Sequence, residues 1–156
     1  MHPAIATIVD HESPAHAIRG LASSLFDLLD DHPWIGSTLT RFPTQIAMIR
    51  LLEHLGGHIR AVGVHQNQEW AAASTLLMYM LGVGSQNAAN AQLAREQALE
   101  RSHFLDEVAS AWSQLSADQY PFVQSNAERM RTHDDRDDFL TGIDFILKGI
   151  IAAGIR

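Results

Sequence analysis

Between Trp70 and Ala94 no residue carries a formal charge, in a 156-residue chain of which 19% is Asp, Glu, Lys or Arg. A neutral stretch of that length has to cross a membrane, fill a core or meet a partner. A membrane span needs about 20 predominantly apolar residues. The densest apolar block, Leu76 to Val83, is far shorter, and Ser85, Gln86, Asn87, Asn90 and Gln92 follow it at once. The stretch reads as a buried helix.

Its surroundings are helical as well. Alternating runs of β-branched residues between tight turns are missing, while apolar residues return every three or four positions. The expectation is an all-α, single-domain bundle of about six helices, and a chain this long buries roughly 70% of its unfolded surface. Residues 1–12 are weakly patterned. Ser13-Pro14 opens the first helix, with Ser able to cap and Pro suited to the first turn. It runs to about Asp31, where His32-Pro33 interrupts it, and a short helix from Trp34 to Arg41 follows. From Pro43 to about Val62 a stripe of Met48, Leu52, Leu55, Ile59 and Val62 has Leu51 and His58 at its edge, and Gly63 ends it. After a polar link the neutral helix extends from about Gln68 into the 90s. Further helices are expected over Ser102 to Leu115, Pro121 to Arg131 and about Asp134 to Ile155. The acidic run HDDRDD reads as the solvated first turn of the last one, where carboxylates suit the helix dipole.

Two of these helices have more apolar surface than one core requires. At 100° per residue, Trp70, Ser74 and Leu77 fall on one side of the neutral helix, while Thr75, Met78, Tyr79 and Gly82 fall on another. The last helix repeats the pattern, with Phe139, Ile143, Ile146 and Ile150 on one stripe and Gly142, Phe145, Gly149 and Ala152 on a second. One face of each would pack its own core and the other a second copy, giving a C2 homodimer built on a four-helix bundle. Both helices being central in one subunit is the plainer alternative.

The chemistry is sparse. A net charge of −7 with only 11 Lys and Arg argues against nucleic-acid binding by this chain unaided. Lack of cysteine excludes disulfides and thiolate sites. No secretory signal opens the chain, which makes the cytoplasm the default compartment. His54 and His58 have chelating i, i+4 spacing, but HLGGH lacks the Glu of a zinc-protease motif and no third ligand is evident. Glu100 to His103 forms one ExxH where a ferritin-like di-iron site needs two. There is no nucleophile elbow or phosphate loop. Neither a metal nor a cofactor is expected, and the chain does not read as an enzyme; a small helical metal-dependent enzyme remains the alternative, beside a purely structural dimerisation module. What remains is an apolar pocket made from Met residues, aromatics such as Trp34, Trp70, Phe104 and Trp112, and a few polar groups, each of which is individually more often ordinary core.

A helix ending in DDHPW, a Pro-initiated Leu-rich helix ending near Gly63, the helix with LLMYMLGV, a late YPF and a closing DDFLTGIDFILKGIIAA resemble, in that order and from about Ser13 to Ile155, the C-terminal regulatory domain of TetR-family transcriptional repressors. The resemblance implies an all-helical domain that binds a small apolar or aromatic effector and dimerises through the long middle helix and the last helix. It also implies an N-terminal helix-turn-helix domain through which DNA is bound, which this sequence does not carry; Met1 to Glu12 reads as the remnant of the junction, and the chain as part of a longer repressor. Helical facing places the expected pocket at Met48, Leu51, Leu55, His58, Trp70, Ser74 and Leu77, with Trp112 as a lid. The expected dimer interface is Thr75, Met78, Tyr79, Gly82, Gly142, Phe145, Gly149 and Ala152.

Overall fold

A computed structural model of the chain describes residues 13–97 and 100–154, and among these there is no strand. The expectations for Met1 to Glu12 and for Ile155 lie outside the described residues. Helix α1 spans Pro14–Asp31, capped where expected: the His16 N–H donates to Ser13 Oγ at 3.2 Å. Helix α2, Trp34–Arg41, follows the His32-Pro33 break. Helix α3 starts three residues after Pro43, covering Ile46–Val62, and ends on Gly63 at φ 91°, a left-handed conformation that favours glycine. A single 3-10 turn, Gln66–Gln68, leads into helix α4, Glu69–Glu96.

Helix α5 covers Arg101–Ser113. The helix expected from Pro121 to Arg131 is two pieces, α6 (Pro121–Ser125) and α7 (Ala127–Met130). Asn126 divides them: its side-chain amide donates to the Phe122 carbonyl at 2.8 Å, an alternative to the helical ladder. Helix α8, Asp135–Gly154, completes the chain. The HDDRDD run is its N-terminus, as the charge pattern suggests, with the Asp137 N–H donating to Asp134 Oδ1 at 3.0 Å. That bond, more than any other influence, holds the Asp134 carboxyl below its ordinary range.

The core lies between α1, α3, α4 and α8. Ile18, Leu29, Leu55, Ile59, Leu76, Met80, Phe139 and Ile143 are almost completely buried in it. The neutral helix α4 runs through this centre, which explains why so much of its surface must be apolar. Helices α2 and α1 lie close against it: a Cβ on Gly36 of α2 would collide with Ser85, and one on Gly84 would stand 2.7 Å from Leu29 Cδ1 of α1. Charged pairs join the periphery, with Arg19 to Asp144 at 3.2 Å and Arg136 to Asp27 at 3.1 Å between α1 and α8, and Arg60 to Glu69 at 2.9 Å between α3 and α4.

Helices α5, α6 and α7 stand apart from this core. Their own buried residues, Leu105, Ala109 and Ala127, form no part of the main apolar cluster. They make a satellite on the four-helix body.

Candidate functional site

The apolar stripe of α1 is wider than its packing against α4 and α8 uses. Leu21, Ser24, Leu25 and Leu28 turn one edge of it toward α2, which returns across the end of α1 because His32-Pro33 bends the chain there. Trp34, Ile35, Thr38 and Leu39 form the second wall. Gln45, Ala47 and Leu51, at the start of α3, form the third. Together they bound a cleft of about 460 Å³, within the size range of small-molecule sites.

Its chemistry is uniform. No lining residue is Asp, Glu, Lys, Arg or His, and the polar groups are confined to Ser24, Thr38 and Gln45. The Thr38 hydroxyl already donates to the Trp34 carbonyl at 3.1 Å, which leaves its oxygen to accept. Trp34 is 65% exposed and Leu28 is 42% exposed. Apolar rings and branches left in water at the mouth of a cleft gain free energy when an apolar molecule covers them, about 25 cal/mol per Å².

Helical facing identified little of this cleft. Of the eight expected pocket residues, only Leu51 lines it. Met48, Leu55 and Leu77 are buried core residues. His58 and Ser74 are half-buried elsewhere, and the Ser74 hydroxyl donates to the Ala71 carbonyl in its own helix. Trp70 is 71% exposed although Leu77 and Gly84, on the same side of the helix, are buried. A helical wheel gives direction only, and burial also needs a neighbour at that height, which the Trp70 ring at the start of α4 lacks among the described residues. Trp112 belongs to α5, in the satellite, and contributes nothing to the cleft. The signal that could have pointed to this cleft was the breadth of the α1 stripe, with Leu21, Leu25 and Leu28 at i, i+4 and i+7 just before the HPW break.

The second group of residues divides. Thr75, Met78 and Gly82 on α4, and Phe145, Gly149 and Ala152 on α8, are exposed, with Met78 at 62% and Phe145 at 67%. Tyr79 and Gly142 are instead used within the chain. The phenol of Tyr79 lies directly over Gly142, where a Cβ would collide with it, and donates to the Phe139 carbonyl at 3.1 Å. Its ring stacks on Phe139 at 5.6 Å. Burial, followed by the charge of Asp138, raises the Tyr79 pKa, so the phenol keeps the proton it donates. The contact has a simple cause: α4 and α8 are neighbours in one subunit, and Gly142 leaves the space that Tyr79 occupies.

Metal-binding geometry does not develop around the described histidines. His54 is exposed and His58 half-buried, and among the described residues no three His, Asp or Glu side chains gather as a metal ion would need. His103 faces Glu107 at 3.4 Å rather than any inward carboxylate. No described helix is long and apolar enough to cross a membrane.

Comparison with known proteins decides the family. Residues 12–153 match the family described as "Tetracyclin repressor-like, C-terminal domain". The chain belongs to this family. The TetR-family assignment is supported independently by a solved structure, that of the transcriptional regulator SCO7222, a TetR from Streptomyces coelicolor. The two share 38% sequence identity and superpose with a TM-score of 0.83, over 93% of this chain and 69% of that one. No curated protein matches the chain. The TetR-like C-terminal fold is therefore the all-α architecture that the order of DDHPW, LLMYMLGV and DDFLTGIDFILKGIIAA implies.

Proposed function

We propose that this domain is the sensing half of a TetR-family regulator: it takes an uncharged, largely apolar or aromatic effector into the α1–α2–α3 cleft and pairs with a second copy through the outer faces of α4 and α8. The cleft carries the reading, because a 460 Å³ space bounded by three helices without one charged lining residue suits a neutral organic molecule. The exposed Met78 and Phe145, beside the small residues Gly82, Gly149 and Ala152, support the pairing, since such patches are uncommon on free monomers and small side chains allow close helix approach. Effector occupancy would alter operator affinity in the intact regulator only as far as the effector prefers one arrangement of the dimer. On this reading the domain is a sensor and not a catalyst.

A panel of neutral apolar and aromatic compounds tests the cleft by thermal shift. A ligand at a hundred times its Kd stabilises by about 2.7 kcal/mol, which in a domain of this size raises Tm by roughly 5–10 °C. Trp34 emission should move with binding, and Trp34→Ala should weaken it while Trp70→Ala leaves it unchanged. Absence of any Tm shift across the panel, with Trp34 emission static, rejects the cleft as the effector site.

A further inference from the structure

Each wall of the α1–α2–α3 cleft carries one side chain with an oxygen among its apolar ones: Ser24 on α1, Thr38 on α2 and Gln45 at the head of α3. Their hydrogen-bonding capacity is unevenly spent. The Thr38 hydroxyl gives its proton to the Trp34 carbonyl, so toward the cleft it can only accept. Gln45 precedes α3 but its amide does not cap the helix, and among the described residues neither that amide nor the Ser24 hydroxyl has a partner in the chain. The cleft therefore offers neutral donors and acceptors and no charge. Water satisfies these groups while the cleft is open. A bare hydrocarbon that covered them would leave them unpaired, which costs more than a neutral hydrogen bond returns. A molecule that brings an uncharged oxygen avoids that cost.

Trp34 adds a second preference. It is the one aromatic residue in the lining, and it is 65% exposed. Its backbone is held, because the Ser37 and Thr38 hydroxyls both donate to its carbonyl, at 2.9 and 3.1 Å. Its aromatic neighbour is His32, with centroids 6.4 Å apart and planes tilted by 59°, which leaves the indole without a stacked partner among the described residues. A flat ring laid on it gains more than the area it covers, since aromatic pairs attract beyond their burial. The other apolar lining residues are Leu, Ile and Ala, which contact saturated and unsaturated rings alike.

We propose that the cleft selects a flat aromatic molecule carrying an uncharged oxygen: Trp34 stacks on the ring and tells it from a saturated ring of the same outline, and Gln45 hydrogen-bonds the oxygen and tells it from the bare hydrocarbon. This rests on the reading of the cleft as the effector site and narrows that reading from apolar or aromatic molecules to oxygenated aromatics. A carboxylate or an ammonium group of similar size is rejected, because no lining residue could neutralise it.

Calorimetric titration of the full chain with 2-naphthol, naphthalene and decahydro-2-naphthol tests the selectivity. The preference for 2-naphthol over decahydro-2-naphthol should fall about three- to tenfold in Trp34→Leu and hold in Gln45→Leu. The preference for 2-naphthol over naphthalene should fall by a similar factor in Gln45→Leu and hold in Trp34→Leu. Comparing ratios between variants cancels the different water solubilities of the probes. Trp70→Leu, outside the cleft, should move neither ratio. Binding of all the probes with ratios that neither variant moves overturns the selectivity and leaves the cleft standing as the effector site. No binding of any probe overturns the selectivity as well, and the thermal-shift panel then judges the cleft separately. Should a variant fold poorly, NMR of 2-naphthol bound to the wild-type protein replaces it: an upfield shift of its ring protons supports stacking on Trp34, and no such shift overturns it.

Discussion

Replacing Gly82 with arginine is expected to convert a dimer into a folded monomer. Gly82 sits mid-helix in α4 with no heavy atom within 4 Å of the position its Cβ would take, so one subunit accommodates the new side chain without strain. Arginine is also the better helix former, by most of 1 kcal/mol. The cost falls on association. An uncompensated buried charge costs about 3–5 kcal/mol, and an isologous interface contains the substitution twice. Allowing for a long side chain that reaches solvent at the rim, the dimer dissociation constant should rise by about three orders of magnitude. Light scattering at micromolar concentration should then report about one 17.2 kDa chain for Gly82→Arg and two for wild type, with equal helical circular dichroism. A variant that keeps the dimer mass, or a wild type already monomeric, removes the α4–α8 pairing from the proposal.

Gly142→Ala should have the largest effect on stability among the substitutions considered. The added methyl would stand 2.5 Å from Tyr79 Cζ and closer still to the phenol oxygen. Relief requires the ring to leave its stack on Phe139 and the phenol to give up the Phe139 carbonyl. Overpacking of this kind costs about 1–3 kcal/mol and the lost hydrogen bond about 1 kcal/mol more, against a gain of about 1 kcal/mol from replacing glycine within a helix. The net loss, about 2 kcal/mol, corresponds to a fall in Tm of roughly 4–8 °C in a domain of this size. Tyr79→Phe alone should cost about 1 kcal/mol, and less in the Gly142→Ala background, because removing the oxygen clears the worst of the overlap. A Tm within about 1 °C of wild type for Gly142→Ala would mean that Tyr79 does not occupy this position.

The same pair of residues shows how far the sequence could be read. Tyr79 and Gly142 were each legible as contact residues from their angular position, but a wheel cannot say whether the contact lies within a chain or between two. Helix boundaries were more accessible, since they depend on local chemistry: Ser13 caps, His32-Pro33 breaks and Gly63 supplies the one positive φ among the described glycines. Asn126 escaped because its competing side-chain bond to Phe122 depends on the backbone already being helical. The cleft was hidden for a tertiary reason. Its walls are three helices whose angles are set by the HPW break and by the close approach of Gly36 to Ser85, and neither fact is a periodicity. Leu51 lines the cleft because it lies at the edge of its stripe, where a helix stops facing the core and begins to face a gap.

That approach of Gly36 to Ser85 places one wall of the cleft directly against the central helix. Helix α2 is a wall of the cleft and rests on α4 at Ser85, sixteen residues from the beginning of α4 at Glu69. At 1.5 Å per residue the arm between them is about 24 Å long. A tilt of about 5° about Ser85 would carry the far end about 2 Å, and on the proposed reading an effector that displaced α2 would bear on the helix whose other side carries Met78 and Gly82. The absence of a side chain at one glycine sets the fulcrum.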